Sequence, residues 1–265
     1  MDETPYYVLT DSSTPESRRA AWGIASGLQK IDGIEPSELA NVAMEKYIHG
    51  EISHQDVTEY VAREYQKHPS ANLKSREADE TSIRIAKIIS EPGFTLSTAS
   101  FMALHGRIFD GLMDDRRFEG GLRTFDIAKS EPVLEGASVN YTPASELRRT
   151  LNWEFEEERL ARFTPQNNED AVSHVLQFAS KLWQIHPFVE GNTRTTATYA
   201  VKYLRYLGVP IGNEPFEQHS QYFRDALALN NASFQKQDSK PLTDFGTKIL
   251  NPTQELVDLR QKYPQ

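Results

Sequence analysis

The densest run of chemically capable residues is Trp183-Gln-Ile-His-Pro-Phe-Val-Glu-Gly-Asn-Thr-Arg-Thr-Thr196. Within nine residues, His186 to Arg194, it holds a histidine, a carboxylate, a Gly-Asn turn and an arginine. Pro187 must end the helix before it, and the residues after Asn192 can start a new one, so these groups gather at a helix-loop-helix junction. A helix N-terminus presents free N-H groups and positive dipole character to an anion, and Gly191 lets a ligand approach the backbone closely. Asn192 and Arg194 add a neutral and a charged donor, and a guanidinium fork suits phosphate oxygens. Glu190 would repel that phosphate, a conflict that a Mg²⁺ ion bridging the carboxylate and the phosphate removes. His186, with an ordinary pKa of about 6.5, is the available general base. Singly, a histidine before proline is usually a capping residue and Glu-Gly-Asn usually only a turn. Together they spell phosphoryl or nucleotidyl transfer to a hydroxyl.

The flanking segments can hold such a junction rigidly. Val172, Val175, Leu176, Ala179, Leu182 and Trp183 make an unbroken helical apolar face before it, and Ala197, Ala200, Val201 and Leu204 make another after it, closed by Gly208. Nearer the N-terminus, three short helices are expected: one carrying Ala20, Ala21, Ile24 and Leu28 and ending at Asp32-Gly33, one capped by Ser37, and one opened by a Ser53/Asp56 capping box. Their apolar faces are narrow, so this small bundle should dock on the rest of the chain. Residues 1–15 read as a loose arm and 67–74 as a linker. Two longer helices should follow, one with Ile83, Ala86, Ile88 and Ile89, the other starting near Ser97. Leu122 to Lys129 and Val133 to Tyr141 are richer in β-formers and read as an irregular hairpin. Thr142-Pro143 should open a helix running to about Arg162. Further helices are expected over Phe216–Leu227 and Leu242–Leu250, with a last, more exposed one over Thr253–Lys262.

Bulk properties exclude several roles. The chain of 265 residues can bury a substantial core, as one large domain or one domain with an appended module. Its net charge of -9 argues against general attraction to nucleic-acid phosphates or anionic lipid, so no nucleic-acid or membrane partner is expected. With no cysteine there is neither a disulfide framework nor a thiolate metal site, and no apolar run approaches bilayer length. Met1 to Ser13 has no signal-peptide pattern, and a cytoplasmic location is expected.

His186-Pro-Phe-Val-Glu-Gly-Asn-Thr-Arg194 resembles the signature of Fic domains: His-Pro-Phe, any residue, Asp or Glu, Gly, Asn, Gly or Lys, Arg. The resemblance implies an all-α Fic helical bundle with a small β-hairpin flap, and transfer of AMP from ATP to a Ser, Thr or Tyr hydroxyl of a target protein. In that likeness His186 deprotonates the hydroxyl and Glu190 holds Mg²⁺. Gly191, Asn192, Thr193 and Arg194 lie along the nucleotide phosphates, and Phe188 locks the loop into the core. Residues 123–141 resemble the flap along which such enzymes bind the target's backbone, a mode that supplies affinity with little side-chain specificity. Lys129 on that flap and Asn230, in a segment resembling the helix that closes over adenine, are further nucleotide-contact candidates. Self-modification and homo-oligomers belong to the same set of expected partners.

Residues 16–66 resemble the three-helix antitoxin modules that inhibit Fic enzymes, which places the Fic domain at 75–250 and a tail helix at 251–265. In those modules a helix carries Ser or Thr, three residues, Glu, then Gly or Asn, and the glutamate blocks the productive pose of the ATP γ-phosphate. Here the corresponding run is Leu28-Gln-Lys-Ile-Asp32-Gly33, with Asp32 as the inhibitory candidate. Two departures lie in the site itself: Thr193 stands where Gly or Lys is usual, and Ala197 where many members keep a second arginine. Inhibition is therefore weakened, redirected to Arg194 or lost, and a different nucleotide or phosphate donor, or nucleotide binding without transfer, stays open.

Overall fold

Local capping chemistry sets most helix boundaries. In the computed structural model, which describes residues 14–68, 73–233 and 235–263, Thr14 accepts a hydrogen bond from Ser17 N and Pro15 opens α1 (Pro15–Gln29). The arm expected over 1–15 otherwise lies outside the described residues. A 3₁₀ turn at Lys30–Asp32 stops at Gly33 in the left-handed region. Ser37 caps α2 (Glu38–Ile48), and the Ser53/Asp56 capping box opens α3 (His54–Lys67). Of the expected linker 67–74, Lys67 ends α3, residues 69–72 lie outside the described set, and Leu73 begins α4 (Leu73–Ser90). Ser97 caps α5 (Thr98–Phe109). Then come α6 (Leu147–Ala161), α7 (Asn168–Ile185), α8 (Asn192–Tyr206), α9 (Glu214–Asn230), α10 (Lys240–Leu250) and a single-turn α11 (Leu259–Lys262).

The architecture is all-helical, and no strand occurs among the described residues. The expected β-hairpin over 122–141 is not formed. Two extended limbs are joined instead by a 3₁₀ turn at Pro132–Leu134. The cause is local: Pro132 has no N-H to give to a ladder, and the carbonyls of Phe125 and Thr142 are taken by the Arg123 guanidinium. Among the described residues the main-chain bonds between the limbs stay at the turn: Glu131 N to Ala137 O at 3.1 Å and Gly136 N to Glu131 O at 3.0 Å. The helix expected from Thr142-Pro143 begins as a 3₁₀ turn at Ala144–Glu146 before α6. The expected tail helix over 251–265 shrinks to α11, which is held by Arg260 pairing with buried Asp225 at 2.8 Å.

The three N-terminal helices do not close a bundle of their own. α1 packs chiefly between α4 and α9, while α2 and α3 pair with each other and lean on α4. The α1–α9 approach is backbone to backbone: a Cβ on Gly27 would sit 2.3 Å from Glu217 Cα, and Ser220 Oγ donates to Gly27 O at 2.7 Å. α2 and α3 are bolted to α4 through Asp79, fully buried, which accepts from Ser37 N and Oγ at 2.6 Å and from Tyr65 Oη at 2.7 Å. Burial raises the Asp79 pKa, and these three donors oppose it. Around α7 and α8, Trp183, Phe188, Phe101, Ala197, Val201 and Leu204 form the core that carries the His186–Arg194 loop.

Candidate active site

α7 ends where Pro187 forbids another turn, and His186 takes the left-handed conformation at φ 50°. Its ring is buried between Tyr141, at a centroid distance of 4.4 Å, and Trp183, at 5.6 Å. Nδ1 lies 3.2 Å from Trp183 O, so the imidazole proton belongs there, donated to the carbonyl. Nε2 is left buried with no hydrogen-bond partner among the described residues. Burial holds the imidazole pKa well below its ordinary value, helped by the charges of Lys129, Arg123 and Arg224. The site therefore contains a neutral imidazole with a free lone pair. An anion bound among those three cations would raise its basicity.

The turn after His186 is pinned from inside. Phe188 N donates to Asn192 Oδ1 at 3.0 Å, and Asn192 Nδ2 donates to Phe188 O at 2.8 Å. Phe188 stacks on His105 at 3.8 Å. His105 Nε2 donates to Glu190 O at 3.1 Å, while its Nδ1 accepts from Gly120 N at 2.9 Å. Burial, with Arg194 nearby, pushes the His105 pKa down to about 4. These bonds hold the main chain of Glu190 and leave its carboxylate exposed to solvent. Gly191 is at φ 71°, and a Cβ there would lie 2.1 Å from Phe109 Cζ, so conformation and space both require glycine.

α8 begins with no side-chain cap, and its first main-chain bond is Thr195 N to Gly191 O. The N-H groups of Asn192, Thr193 and Arg194 thus have no acceptor within the helix, which makes an anion-binding end. The side chains differ in what they offer. The Asn192 amide is used on Phe188, so its main chain alone remains for a ligand. Thr193 Oγ1 accepts from Trp183 Nε1 at 2.9 Å, tying α8 to α7. Arg194 is buried and held on every edge: Nη1 donates to Gln29 Oε1 at 2.9 Å, and Nη2 to Glu77 Oε1 at 2.6 Å. Its Nε lies 2.9 Å from Asp32 Oδ2, an ion pair outside hydrogen-bond angles, and its guanidinium lies over the Phe109 ring at 4.8 Å. Ala197 is wholly buried in the core.

Lys129 is half-buried on the first limb of the flap, and its charge reaches Arg224, Glu131, Asp32, Glu190 and His186. Desolvation lowers its pKa, with Arg224 adding to the effect. The structure therefore brings Lys129, Asp32, Glu190, the α8 N-terminus and His186 into one electrostatic neighbourhood. Asn230 is employed differently: its Nδ2 donates to Ser180 Oγ at 2.8 Å, joining α9 to α7. Four participants escaped the sequence reading: Gln29, Glu77, His105 and Arg123. The one available signal was His105, a histidine set among the apolar residues Phe101, Met102, Ile108 and Phe109 on a helix face; for Gln29, Glu77 and Arg123 there was none.

Residues 95–204, from just before α5 to near the end of α8, match the model of the Fic/DOC family. The fold is similar to the N-terminal FIC domain of the Bep8 protein, a VirB-translocated Bartonella effector protein, from Bartonella sp. 1-1C. That likeness has a TM-score of 0.55 and 14% identity, over 70% of this chain and 88% of that chain. No curated protein matches the sequence. The likeness to the Fic/DOC family thus covers residues 95–204, and proteins of that family are generally transferases of AMP or other phosphate-containing groups. Among the described residues no helix is long and apolar enough to cross a membrane.

Proposed function

We propose that the chain is a protein adenylyltransferase, moving AMP from ATP to a Ser, Thr or Tyr hydroxyl of a target protein. The observation that carries this is the unpartnered, buried Nε2 of His186, six residues before the uncapped start of α8 at Asn192. An acceptor hydroxyl at Nε2 gives up its proton there as its oxygen attacks the α-phosphorus, and pyrophosphate leaves. The N-H groups of Asn192, Thr193 and Arg194, with Lys129, surround the phosphates. Among the described residues no cluster of three or more His, Cys, Asp or Glu could hold a metal by itself. The exposed carboxylate of Glu190 would hold Mg²⁺, which would supply charge neutralisation at the phosphates. The target lies along the flap 123–141.

Asp32 supports a restraint on the same site, since its contact with Arg194 occupies a guanidinium edge that a phosphate would need. The absence of a second arginine at Ala197 favours one alternative, a donor other than ATP. Incubation with α-labelled ATP, other labelled nucleotides and Mg²⁺, followed by mass spectrometry, tests these readings. Label should appear on hydroxyl residues and be lost with His186→Ala. Undiminished transfer in that variant would rule out His186 as the base.

A further inference from the structure

Arg123 is the least expected charge in the molecule. It is 2% exposed, and its closest carboxylate, Asp126, stands 4.0 Å away and is itself mostly in solvent. A buried guanidinium without a paired anion must find carbonyl acceptors, and Arg123 finds three. Nε donates to His186 O at 2.8 Å, Nη1 to Phe125 O at 2.7 Å, and Nη2 to Thr142 O. Its own main-chain N donates to Pro187 O at 2.8 Å. One residue thereby connects the loop that carries the base with both limbs of the flap.

We propose that Arg123 is a positioning residue for the reaction: its fork fixes the His186 carbonyl, and with it the ring, at a set height against the flap that presents the acceptor. The inference rests on the transferase reading of His186. The physical need is specific to this loop. A non-glycine residue at φ 50° is strained, and it persists only where its surroundings over-determine it. Main-chain capping supplies one restraint, His186 N to Leu182 O at 3.4 Å, a long bond. The Arg123 bonds to the carbonyls of His186 and Pro187 supply the next two. A lysine at 123 would keep the charge but could not span carbonyls on both limbs and the loop at once.

The test compares Arg123→Lys and Arg123→Gln with the wild-type chain, using whichever variant keeps cooperative unfolding. Three quantities are measured: nucleotide affinity by calorimetry, kcat for transfer, and the His186 ring tautomer by ¹⁵N NMR. The wild type should show the single Nδ1-H tautomer. The variants should show mixed tautomers and a kcat lower by about 100-fold, the scale of a 1 Å misplacement, with nucleotide affinity unchanged within about twofold. A merely structural arginine would lower the unfolding midpoint while leaving tautomer and kcat intact, and that result overturns the proposal. If the wild type transfers nothing from any nucleotide, the transferase reading fails, and the tautomer measurement still decides whether Arg123 positions His186.

Discussion

Replacing the two carboxylates around Arg194, Asp32→Asn with Glu77→Gln, should tighten nucleotide binding about 30-fold. A phosphate can use the Arg194 guanidinium only by displacing partners already on it, so their strength sets the affinity withheld. The Glu77 contact is short, 2.6 Å, on an arginine side chain 2% exposed. Charge-assisted hydrogen bonds of this kind contribute about 1.5–3 kcal/mol, and the low end suits a carboxylate 29% exposed. Asp32, 45% exposed and lacking hydrogen-bond angles, contributes nearer 0.5 kcal/mol, as solvent-screened pairs do. The sum, about 2 kcal/mol, corresponds to roughly 30-fold in affinity, with Glu77→Gln alone giving about tenfold and Asp32→Asn about twofold. The assay is calorimetric titration of Mg²⁺ and a non-hydrolysable ATP analogue into wild-type, single-variant and double-variant chains. An affinity unchanged within twofold in a double variant that still unfolds cooperatively would show that phosphates do not compete for Arg194.

Other outcomes follow from single groups in the loop. His105 has its pKa depressed from 6.5 to about 4, so the unfolded chain binds more protons between those values. Its contribution is fully present above pH 6.5 and is lost as pH falls toward 4, about 3 kcal/mol in total. Urea midpoints measured from pH 7 to pH 4.5 should fall accordingly, and His105→Gln should flatten the slope. An equal slope in that variant would assign the acid sensitivity elsewhere, His186 first, because its pKa is shifted in the same direction. Gly191→Ala should abolish nucleotide binding and cost several kcal/mol, since the new methyl overlaps Phe109. Near-normal binding by that variant would mean the turn opens readily.

Much of the frame was legible because it depends on near neighbours. Ser37, Ser53 with Asp56, Ser97 and the Gly33 stop each act within a few residues of themselves, and the predicted helices begin or end beside them. The His186–Arg194 junction was legible for the same reason, since Pro187 and Gly191 dictate it locally. The hairpin was misjudged because β-forming side chains indicate which residues tolerate extension, whereas the carbonyl acceptors go to Arg123, a tertiary contact. Glu77 and Gln29 were invisible as partners of Arg194: they lie 117 and 165 residues from it, and sequence spacing carries no information at that range.

The close seating of α1 on α9 bears on how the chain is made. Gly27 meets Ser220 across 193 residues, so the face of α1 that carries Gly27 has no partner until most of the polypeptide has been synthesised. At about 5–20 residues per second, that leaves the first helix waiting on the order of ten seconds or more. During the wait α7 and α8 have emerged and can assemble the loop, while the short turn carrying Asp32 is not yet anchored to α9. Completion of α9 therefore closes the second face of α1, the first being already covered by α4. Glu77, on α4, is synthesised before Arg194 itself, so of the two carboxylates on that arginine only the turn carrying Asp32 is completed by packing against α9.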